Sequence, residues 1–283
     1  MCLLLFAYRQ HPRYPLILLA NRDEFYRRPT APADLWGTPP IVAGRDLEAG
    51  GTWLGATDGG RLAAVTNVRE PGVPTPPAAA SRGDIPTKFL AAGNAPLRFA
   101  ETLAGERYRG FNALLYDPAA PESLICAGNR HRPFAMTAGV HGISNGAADA
   151  PWPKVTRGRE SLAQLVQTLP HNAPPEWLLA PSLALLQDTS VAEDRALPDT
   201  GVGLEMERAL APIFVRIPAG NLRNGSGGYG TRASTLVLSD QEGHVYFWEQ
   251  SYREGQPLGS PRHFTIPSTT ASTTPSITPR TPS

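Results

Sequence analysis

Short apolar runs that alternate with turn-forming segments constrain the fold of this 283-residue chain more than any other feature. The runs at 2–8 and 16–20 flank His-Pro-Arg-Tyr-Pro at 11–15. Apolar runs bounded by such breakers predict a pair of antiparallel strands. Asp-Gly lies between the runs at 52–56 and 61–68, and it is a strong hairpin signal.

Helical patterns interrupt these strands. Residues 84–105 contain two helix-like stretches that begin near Asp84 and Asn94 as candidate N-caps and end at glycines,. The stretches 154–169 and 176–188 have apolar residues at helical spacing,. Further strands are predicted at 111–117, 123–128, 133–137, 232–240 and 244–252. This order of strands and helices favours an α+β layered domain with antiparallel sheets over a doubly wound parallel sheet.

One domain is predicted over residues 1–266, followed by a disordered tail at 267–283. Every residue of the tail except Ala271, Ile277 and Arg280 is Ser, Thr or Pro. Such a segment has too little apolar surface to offset the entropy cost of ordering it.

Charge and composition exclude several classes of protein. The formal net charge is +1 and the charges are interspersed, so nucleic-acid binding is not expected. No apolar run approaches the roughly 20 residues that a transmembrane helix needs, and the N-terminus lacks the features of a signal peptide. The two cysteines and six histidines have no metal-ligand spacing,. We therefore expect a cytoplasmic protein without a metal or cofactor, and the sequence leaves its oligomeric state open.

Cys2 is the first candidate for chemistry. Removal of Met1 would leave Cys2 with a free α-amine of ordinary pKa about 8, beside a thiol of ordinary pKa about 8.5. The amine can then take the proton of the thiol, so one residue supplies both the nucleophile and its base. A chance cysteine in an edge strand and a lipid-modified N-terminal cysteine are alternatives that position alone leaves open.

Asn-Arg-Asp-Glu at 21–24 is the second candidate, because polar groups at the end of an apolar strand commonly build sites. In an extended strand, Asn21 and Asp23 share one face while Arg22 and Glu24 share the other. Asp23 is suited to accept a hydrogen bond from the N-terminal amine, and Arg22 to pair with a carboxylate. The alternative is a surface turn with one local ion pair, worth about 0–1 kcal/mol.

Later polar residues offer weaker candidates. The amides of Asn67 and Asn145 could donate to a developing oxyanion, although Asn is also an ordinary turn residue. The glycine-rich segment 225–230 precedes a strand-like sequence, whereas a dinucleotide-binding loop precedes a helix, so we interpret it as a loop that lets the backbone approach a ligand. Arg232 follows it and could stabilise a thiolate or form a surface salt bridge. Cys126, in an apolar run, is predicted to be a buried, inert thiol.

Nine motifs occur in order along the chain, and together they resemble one family. They are MCLLLF at 1–6, LANRDE at 19–24, AGRD at 43–46, GGTWLG at 50–55, AVTNVREPG at 64–72, SRGDI at 81–85, GISN at 142–145, PWPK at 151–154 and GYGTRAS at 228–234. This is the NRDE family, also called the Transport and Golgi organisation 2-like family, and the resemblance covers about residues 1–250. The family is distantly similar to cysteine N-terminal-nucleophile amidases such as choloylglycine hydrolase and penicillin V acylase.

That similarity implies a four-layer α-β-β-α N-terminal-nucleophile (Ntn) hydrolase-like fold and a set of site residues. Cys2 resembles the nucleophile and Asp23 the aspartate that holds the α-amine. Asn67 resembles the oxyanion donor, and Asn145 and Arg232 resemble the remaining polar pair.

One departure from the amidase pattern concerns Arg22. The amidases have Arg three residues before Asp, whereas Arg22 directly precedes Asp23. In a strand Arg22 then faces away from Asp23, and Asn21 is the residue expected to occupy that place. Arg22 and Glu24 are expected to support the site.

Two functions fit these residues. The first is a hydrolase that cleaves a linear, non-peptide amide through an acyl-enzyme on Cys2. The second is a non-catalytic binding or trafficking protein whose cleft holds a lipid-like or haem-like ligand, since the family resemblance implies roles in membrane organisation, lipid metabolism and haem handling. In both cases the expected partner is a small, amphipathic molecule.

Overall fold

Two antiparallel β-sheets dominate the computed structural model, which describes residues 2–103, 107–220, 227–268 and 278–279. Numbered in chain order, the strands of the described residues are β1 (Cys2–Tyr8), β2 (Leu16–Phe25), β3 (Thr30–Trp36), β4 (Ile41–Asp46), β5 (Leu54–Ala56), β6 (Leu62–Asn67), β7 (Phe111–Tyr116), β8 (Leu124–Gly128), β9 (Phe134–Ala135), β10 (Gly139–Ile143), β11 (Arg216–Ile217), β12 (Tyr229–Ser239), β13 (Val245–Arg253), β14 (Gln256–Pro257), β15 (Arg262–Ile266) and β16 (Thr278–Pro279).

The two sheets differ in connectivity. The first has the strand order β10-β1-β2-β12-β13-β15-β16, with β11 paired to β12 and β14 to β13. It therefore joins both ends of the chain. The second runs from β3 to β9 in sequence order, so each strand pairs with its neighbour along the chain.

Helices cover the outer face of each sheet. They are α1 (Asp84–Ala91), α2 (Pro96–Thr102), α3 (Pro153–Thr168), α4 (Leu179–Leu186) and α5 (Leu204–Leu210), with short 3-10 turns at Asp58–Gly60, Pro175–Leu178 and Asp194–Ala196. No helix of the described ranges is long and apolar enough to cross a membrane.

The alternation of side chains along β1 shows how the layers form. Leu4 and Phe6 pack between the two sheets, whereas Leu3 and Leu5 pack against α3 and α4, because successive residues of a strand point to opposite faces. The outer face of the second sheet packs on α1 and α2 around Phe89. The predicted α+β fold with four α-β-β-α layers and antiparallel sheets is thus confirmed.

Most of the predicted elements are confirmed, with some differences. The helices α1 and α2 begin after Gly83 and Ala95, so the predicted N-caps Asp84 and Asn94 are wrong. The strands β3, β4, β10, β11, β14 and β15 and the helix α5 are not predicted from the sequence pattern.

The single domain over 1–266 and the disordered tail stay predictions. Much of 267–283 lies outside the described residues. Of that segment, Thr278 and Pro279 are described as β16, which pairs with Thr265 and Phe264 of β15.

Candidate functional site

The NRDE segment lies inside β2 and not after it. β2 extends to Phe25 because the long strand β12 pairs with it as far as Tyr229. On its other side β1 pairs with β2 up to the Cys2–Arg22 position. Cys2 and Arg22 therefore occupy facing positions at the end of the β1–β2 pair, and Asp23 is the next residue of β2.

A cleft of about 550 Å³ opens at this end of the sandwich. Its walls come from the ends of β2 and β6 and from the loops that follow β4 and β6. The lining residues include Arg22, Asp23, Glu24, Arg28, Asp46, Trp53, Asn67, Arg82 and Arg109. Three residues of the NRDE segment thus line one cleft together with Asn67.

Arg22 is held rigidly at the cleft wall. Its Nη1 donates to Thr30 Oγ1 at 2.9 Å and its Nη2 donates to Asp46 Oδ2 at 2.8 Å. The guanidinium carbon lies 4.4 Å from the centre of the Trp53 ring, a cation–π contact. The side chain is 5% exposed, so a buried, partnered positive charge belongs to the residue that pairs with Cys2.

Asp46 joins Arg22 to a second arginine. Arg28 Nε donates to Asp46 Oδ2 at 2.7 Å, and Arg28 Nη1 lies 2.8 Å from Glu48 Oε1. Burial acts to raise the pKa of Asp46, but the hydrogen bonds from Arg28 and from the Ala49 backbone outweigh it and lower that pKa,. The carboxylate therefore stays ionised.

Asp23 is buried among polar groups. Its side chain is almost inaccessible, and its Oδ1 accepts a hydrogen bond from Thr231 Oγ1 at 2.8 Å. The Tyr229 hydroxyl donates to its carbonyl oxygen at 2.9 Å. Burial raises the pKa of Asp23, and the charge of the buried Lys154 is the strongest influence that lowers it. Burial thus favours the neutral carboxyl of Asp23, whereas a neighbouring cation favours its ionised form,.

Asn67 and Asn145 are linked, but they occupy different environments. Asn145 Nδ2 donates to the Asn67 carbonyl oxygen at 2.8 Å, and Asn145 itself is buried. The side-chain amide of Asn67 lines the cleft and makes no hydrogen bond to the residues that the structure describes. Asn67 is thus an available donor, whereas Asn145 fixes the backbone that carries it.

Asn21 lies on the face of β2 opposite to that of Arg22. It is fully buried, and its Nδ2 donates to the carbonyl oxygens of Leu186 at 2.8 Å and Ile213 at 3.0 Å. Its Oδ1 accepts from Ser234 Oγ at 2.6 Å. This amide ties β2 to the helical layer. The expectation that Asn21 takes the place of the arginine is therefore corrected: Arg22 lines the cleft instead.

Arg232 also lies away from the cleft. Its Nη1 donates to the carbonyl oxygens of Phe25, Tyr26 and Arg28 at 3.0, 3.0 and 3.1 Å. The β2–β12 register shifts between Thr231 and Ala233, so Arg232 is the extra residue of a bulge. Its side chain holds the turn after β2 and lines a separate depression.

A buried ion pair behind the cleft was not anticipated. Arg69 Nη1 lies 2.6 Å from Glu207 Oε2, and the two side chains are 5% and 3% exposed. The Arg69 guanidinium also lies over the Trp152 ring at 5.2 Å, and its backbone N donates to the Asn145 carbonyl oxygen at 2.8 Å. This pair therefore supports the Asn145–Asn67 link.

Several supporting residues lie in motifs that the sequence analysis recognised. Arg69 belongs to AVTNVREPG, Lys154 to PWPK and Thr231 to GYGTRAS. Membership in these motifs could have indicated that the three residues support the site. Glu207 lies in none of the motifs, so the sequence contains no such indication for it.

The second cysteine has a different environment. Cys126 is fully buried in β8, and burial raises the pKa of its thiol to about 12. The prediction that this thiol is buried is confirmed, and its inertness stays a prediction.

One group in the described residues has the spacing of metal ligands. Asp240, Glu242 and His244 lie in the turn between β12 and β13, with ligand atoms within 4.8 Å of one another. Asp240 Oδ1 already accepts the backbone N–H groups of Glu242 and His244. These contacts are those of an ordinary turn, at the end of β12 remote from Thr231.

Comparisons with known proteins identify the family. A solved structure, the C2A mutant of the conjugated bile acid hydrolase from Clostridium perfringens, overlaps with a TM-score of 0.47 and 7% identity over 100% of this chain and 97% of that chain; a likeness this weak supports no argument. The Transport and Golgi organization protein 2 homolog of Homo sapiens is 36% identical over 265 residues, which cover 89% of this chain and 93% of that protein. The homolog of Bos taurus is 34% identical over 271 residues, which cover 91% and 95%. The family model "Transport and Golgi organisation 2" matches residues 1–254, and the chain therefore belongs to the Transport and Golgi organisation 2 family.

Proposed function

We propose that this protein is an N-terminal-cysteine hydrolase that cleaves a linear, non-peptide amide. The observation that supports it most is the β1–β2 register. Cys2 pairs with Arg22 across the two strands, and Arg22, Asp23 and Asn67 all line one cleft. A nucleophile, a carboxylate for its amine and an oxyanion donor would thus meet at one end of the sandwich.

The reaction would begin with removal of Met1. The α-amine of Cys2 takes the thiol proton, and the thiolate attacks the amide carbonyl carbon. The carbonyl oxygen becomes an oxyanion that accepts a hydrogen bond from Asn67. The C–N bond then breaks, the ammonium returns its proton to the leaving amine, and a thioester on Cys2 remains. Water, deprotonated by the same amine, hydrolyses the thioester and regenerates the thiol.

The surroundings suit these steps. Asp23, held by Thr231, would orient the α-amine and stabilise its protonated form. The fixed charge of Arg22 would favour the thiolate, since nearby positive charge lowers the pKa of a thiol. Asn145 would act as a positioning residue through the Asn67 carbonyl oxygen.

The alternative is a protein that binds a lipid-like or haem-like ligand in the same cleft without chemistry. Trp53, Val65, Ala79 and Ala80 supply apolar lining beside the charged residues. A volume of about 550 Å³ is in the usual range for small-molecule sites,. An amphipathic ligand would place its apolar part against the apolar lining and its polar part against the charged residues.

Thiol labelling distinguishes the two functions. The protein is treated with iodoacetamide at neutral pH and analysed by intact mass, which also reports whether Met1 is present. We expect rapid labelling of the wild type and of Cys126→Ala, and loss of most labelling in Cys2→Ala. An uncleaved N-terminal tag should abolish the fast labelling, because it converts the amine to an amide.

Equal labelling of tagged and untagged protein would contradict the hydrolase, since the amine would then give no assistance. The binding function would become the better account. Release of amine from an amide substrate by the wild type, but not by Cys2→Ala, would establish the reaction.

A further inference from the structure

A second depression, which shares Arg28 with the cleft, is lined by arginines from three segments of the chain. It has a volume of about 390 Å³. Arg27 and Arg28 come from the turn after β2, Arg232 from the bulge of β12 and Arg253 from the end of β13. One carboxylate, that of Glu254, lines it with them. The lining residues thus carry an excess of positive charge.

Most of this charge is not neutralised by the protein. Arg27 and Arg253 are exposed and make no hydrogen bond or ion pair with residues in the described ranges. Arg232 uses Nη1 for three carbonyl oxygens, and within those ranges its Nε and Nη2 have no partner. Arg28 differs, because Asp46 and Glu48 already bind it.

Burial and the neighbouring charges change the pKa of Arg232. Burial lowers the pKa of Arg232, the charges of Arg22 and Arg253 lower it further, and the charge of Glu24 raises it. Like charges held close together raise the free energy of the unoccupied site. A bound anion would remove that repulsion.

Glycines shape the wall of the depression. The Tyr26 ring packs against the backbone of β12, where a Cβ on Gly230 would lie 2.5 Å from Tyr26 Oη and one on Gly228 would lie 2.8 Å from the ring. Tyr26 Oη is buried and has no hydrogen-bond partner among the described residues. The described end of the glycine-rich segment thus builds this second site and not the cleft.

We propose that this depression binds the phosphate group of a phosphorylated ligand through Arg27, Arg232 and Arg253. Guanidinium groups match the oxygens of phosphate in paired hydrogen bonds. Three arginines against one carboxylate favour a multiply charged anion over a single carboxylate. The phosphate could belong to a soluble molecule or to a phospholipid headgroup. The proposal does not depend on chemistry at Cys2.

Calorimetric titration with inorganic pyrophosphate tests the site. We expect wild-type protein to bind, with an affinity that falls as salt is added. The double variant Arg27→Ala/Arg253→Ala should bind at least about tenfold more weakly, since two charge-assisted contacts are lost. The matched control Arg98→Ala/Arg195→Ala removes two arginines that are 80% and 85% exposed, and it should bind like the wild type.

Vesicle flotation identifies the source of the phosphate. Vesicles of phosphatidylcholine alone are compared with vesicles that also contain phosphatidylglycerol. Binding to pyrophosphate alone supports a soluble phosphorylated ligand. Loss of binding to the anionic vesicles in the double variant, but not in the control, supports a lipid headgroup.

The proposal is overturned if wild-type protein binds neither pyrophosphate nor anionic vesicles. It is also overturned if the double variant binds both as tightly as the wild type does. Circular dichroism and the Tm of the double variant check that the fold is retained, which we expect because both side chains are exposed.

Discussion

Two ion-pair systems surround the cleft, and they differ in access to water. The Arg69–Glu207 pair behind the cleft is 5% and 3% exposed. The Arg28–Glu48 pair at its rim is 25% and 59% exposed. Both distances are short, at 2.6 and 2.8 Å. Geometry alone would therefore rank the two pairs as equals.

The difference in exposure separates them energetically. Water and salt screen a rim pair, so such pairs contribute about 0–1 kcal/mol. A buried pair costs desolvation when it forms, and breaking it leaves a charge without a partner. The buried pair should thus control stability, whereas the rim pair should be adjustable without harm to the fold.

The largest effect is expected for Glu207→Gln. Arg69 would keep its buried charge without a counter-charge, so the free energy of unfolding should fall by about 3–5 kcal/mol. The Gln amide keeps only one acceptor oxygen, so either Arg69 Nη1 or the Thr200 backbone N–H, which donates to Glu207 Oε1 at 2.9 Å, would face an NH₂ group. Urea denaturation followed by circular dichroism measures the loss. Glu205→Gln, an exposed residue of the same helix, is the control and should change stability little. Similar losses in both variants would contradict the comparison.

A smaller, pH-dependent effect on stability is expected at Glu249 of β13. The charge of Arg22 is one of the influences that lower the pKa of this residue. It is fully buried, its Oε1 accepts from the Ala33 backbone at 2.6 Å, and burial raises its pKa to about 7. The unfolded chain releases this proton near pH 4.3, so between about pH 4.5 and 7 the folded state binds more protons. Stability from this group therefore decreases as pH rises through that window, by on the order of 3 kcal/mol.

Glu249→Gln cannot ionise and serves as the reference for that effect. The difference in unfolding free energy between wild type and variant, measured at several pH values from 5 to 8, should shift in favour of the variant as pH rises. A difference that is independent of pH would show that the carboxyl is not protonated in the folded protein.

The smallest effects are expected at the rim. Asp46→Asn weakens the hydrogen bonds to Arg22 and Arg28. It should lower the free energy of unfolding by about 1–2 kcal/mol, because solvent partly screens these charges. Glu48→Gln should lower the free energy of unfolding by less than about 0.5 kcal/mol, and high salt should abolish this difference from the wild type. Urea denaturation at two salt concentrations measures both. A cost at Glu48 equal to that at Asp46 would mean that the rim is less exposed to solvent than its accessibility indicates.

The sequence predicted elements whose pattern is local. The apolar runs of β1 and β2 are bounded by breakers, and α3 carries apolar residues at helical spacing. β3 was not predicted, because its sequence contains Pro32 and its pairing with β4 shifts between Ala31 and Asp34. The Ala33 N–H is satisfied by Glu249, 216 residues away, a contact that no local pattern contains.

The candidate site was predictable to the extent that it depends on one strand pair. Alternation correctly separated Asn21 from Arg22, but it could not show that Arg22, Asp23 and Glu24 would all line the cleft, because that depends on how the strand ends and loops pack. The position of Arg232 depends on a bulge in β12. The Arg69–Glu207 pair joins residues 138 positions apart.

The strands at the margins of the sheets also affect how copies of the protein meet in concentrated solution. β9 and β16 each contain two residues, and β16 includes a proline, which has no N–H to donate. A margin this short gives an incoming chain few backbone groups with which to extend the sheet. One described margin of each sheet is thereby protected against intermolecular strand addition, whereas the opposite margins are the longer strands β10 and β3, with five and seven residues.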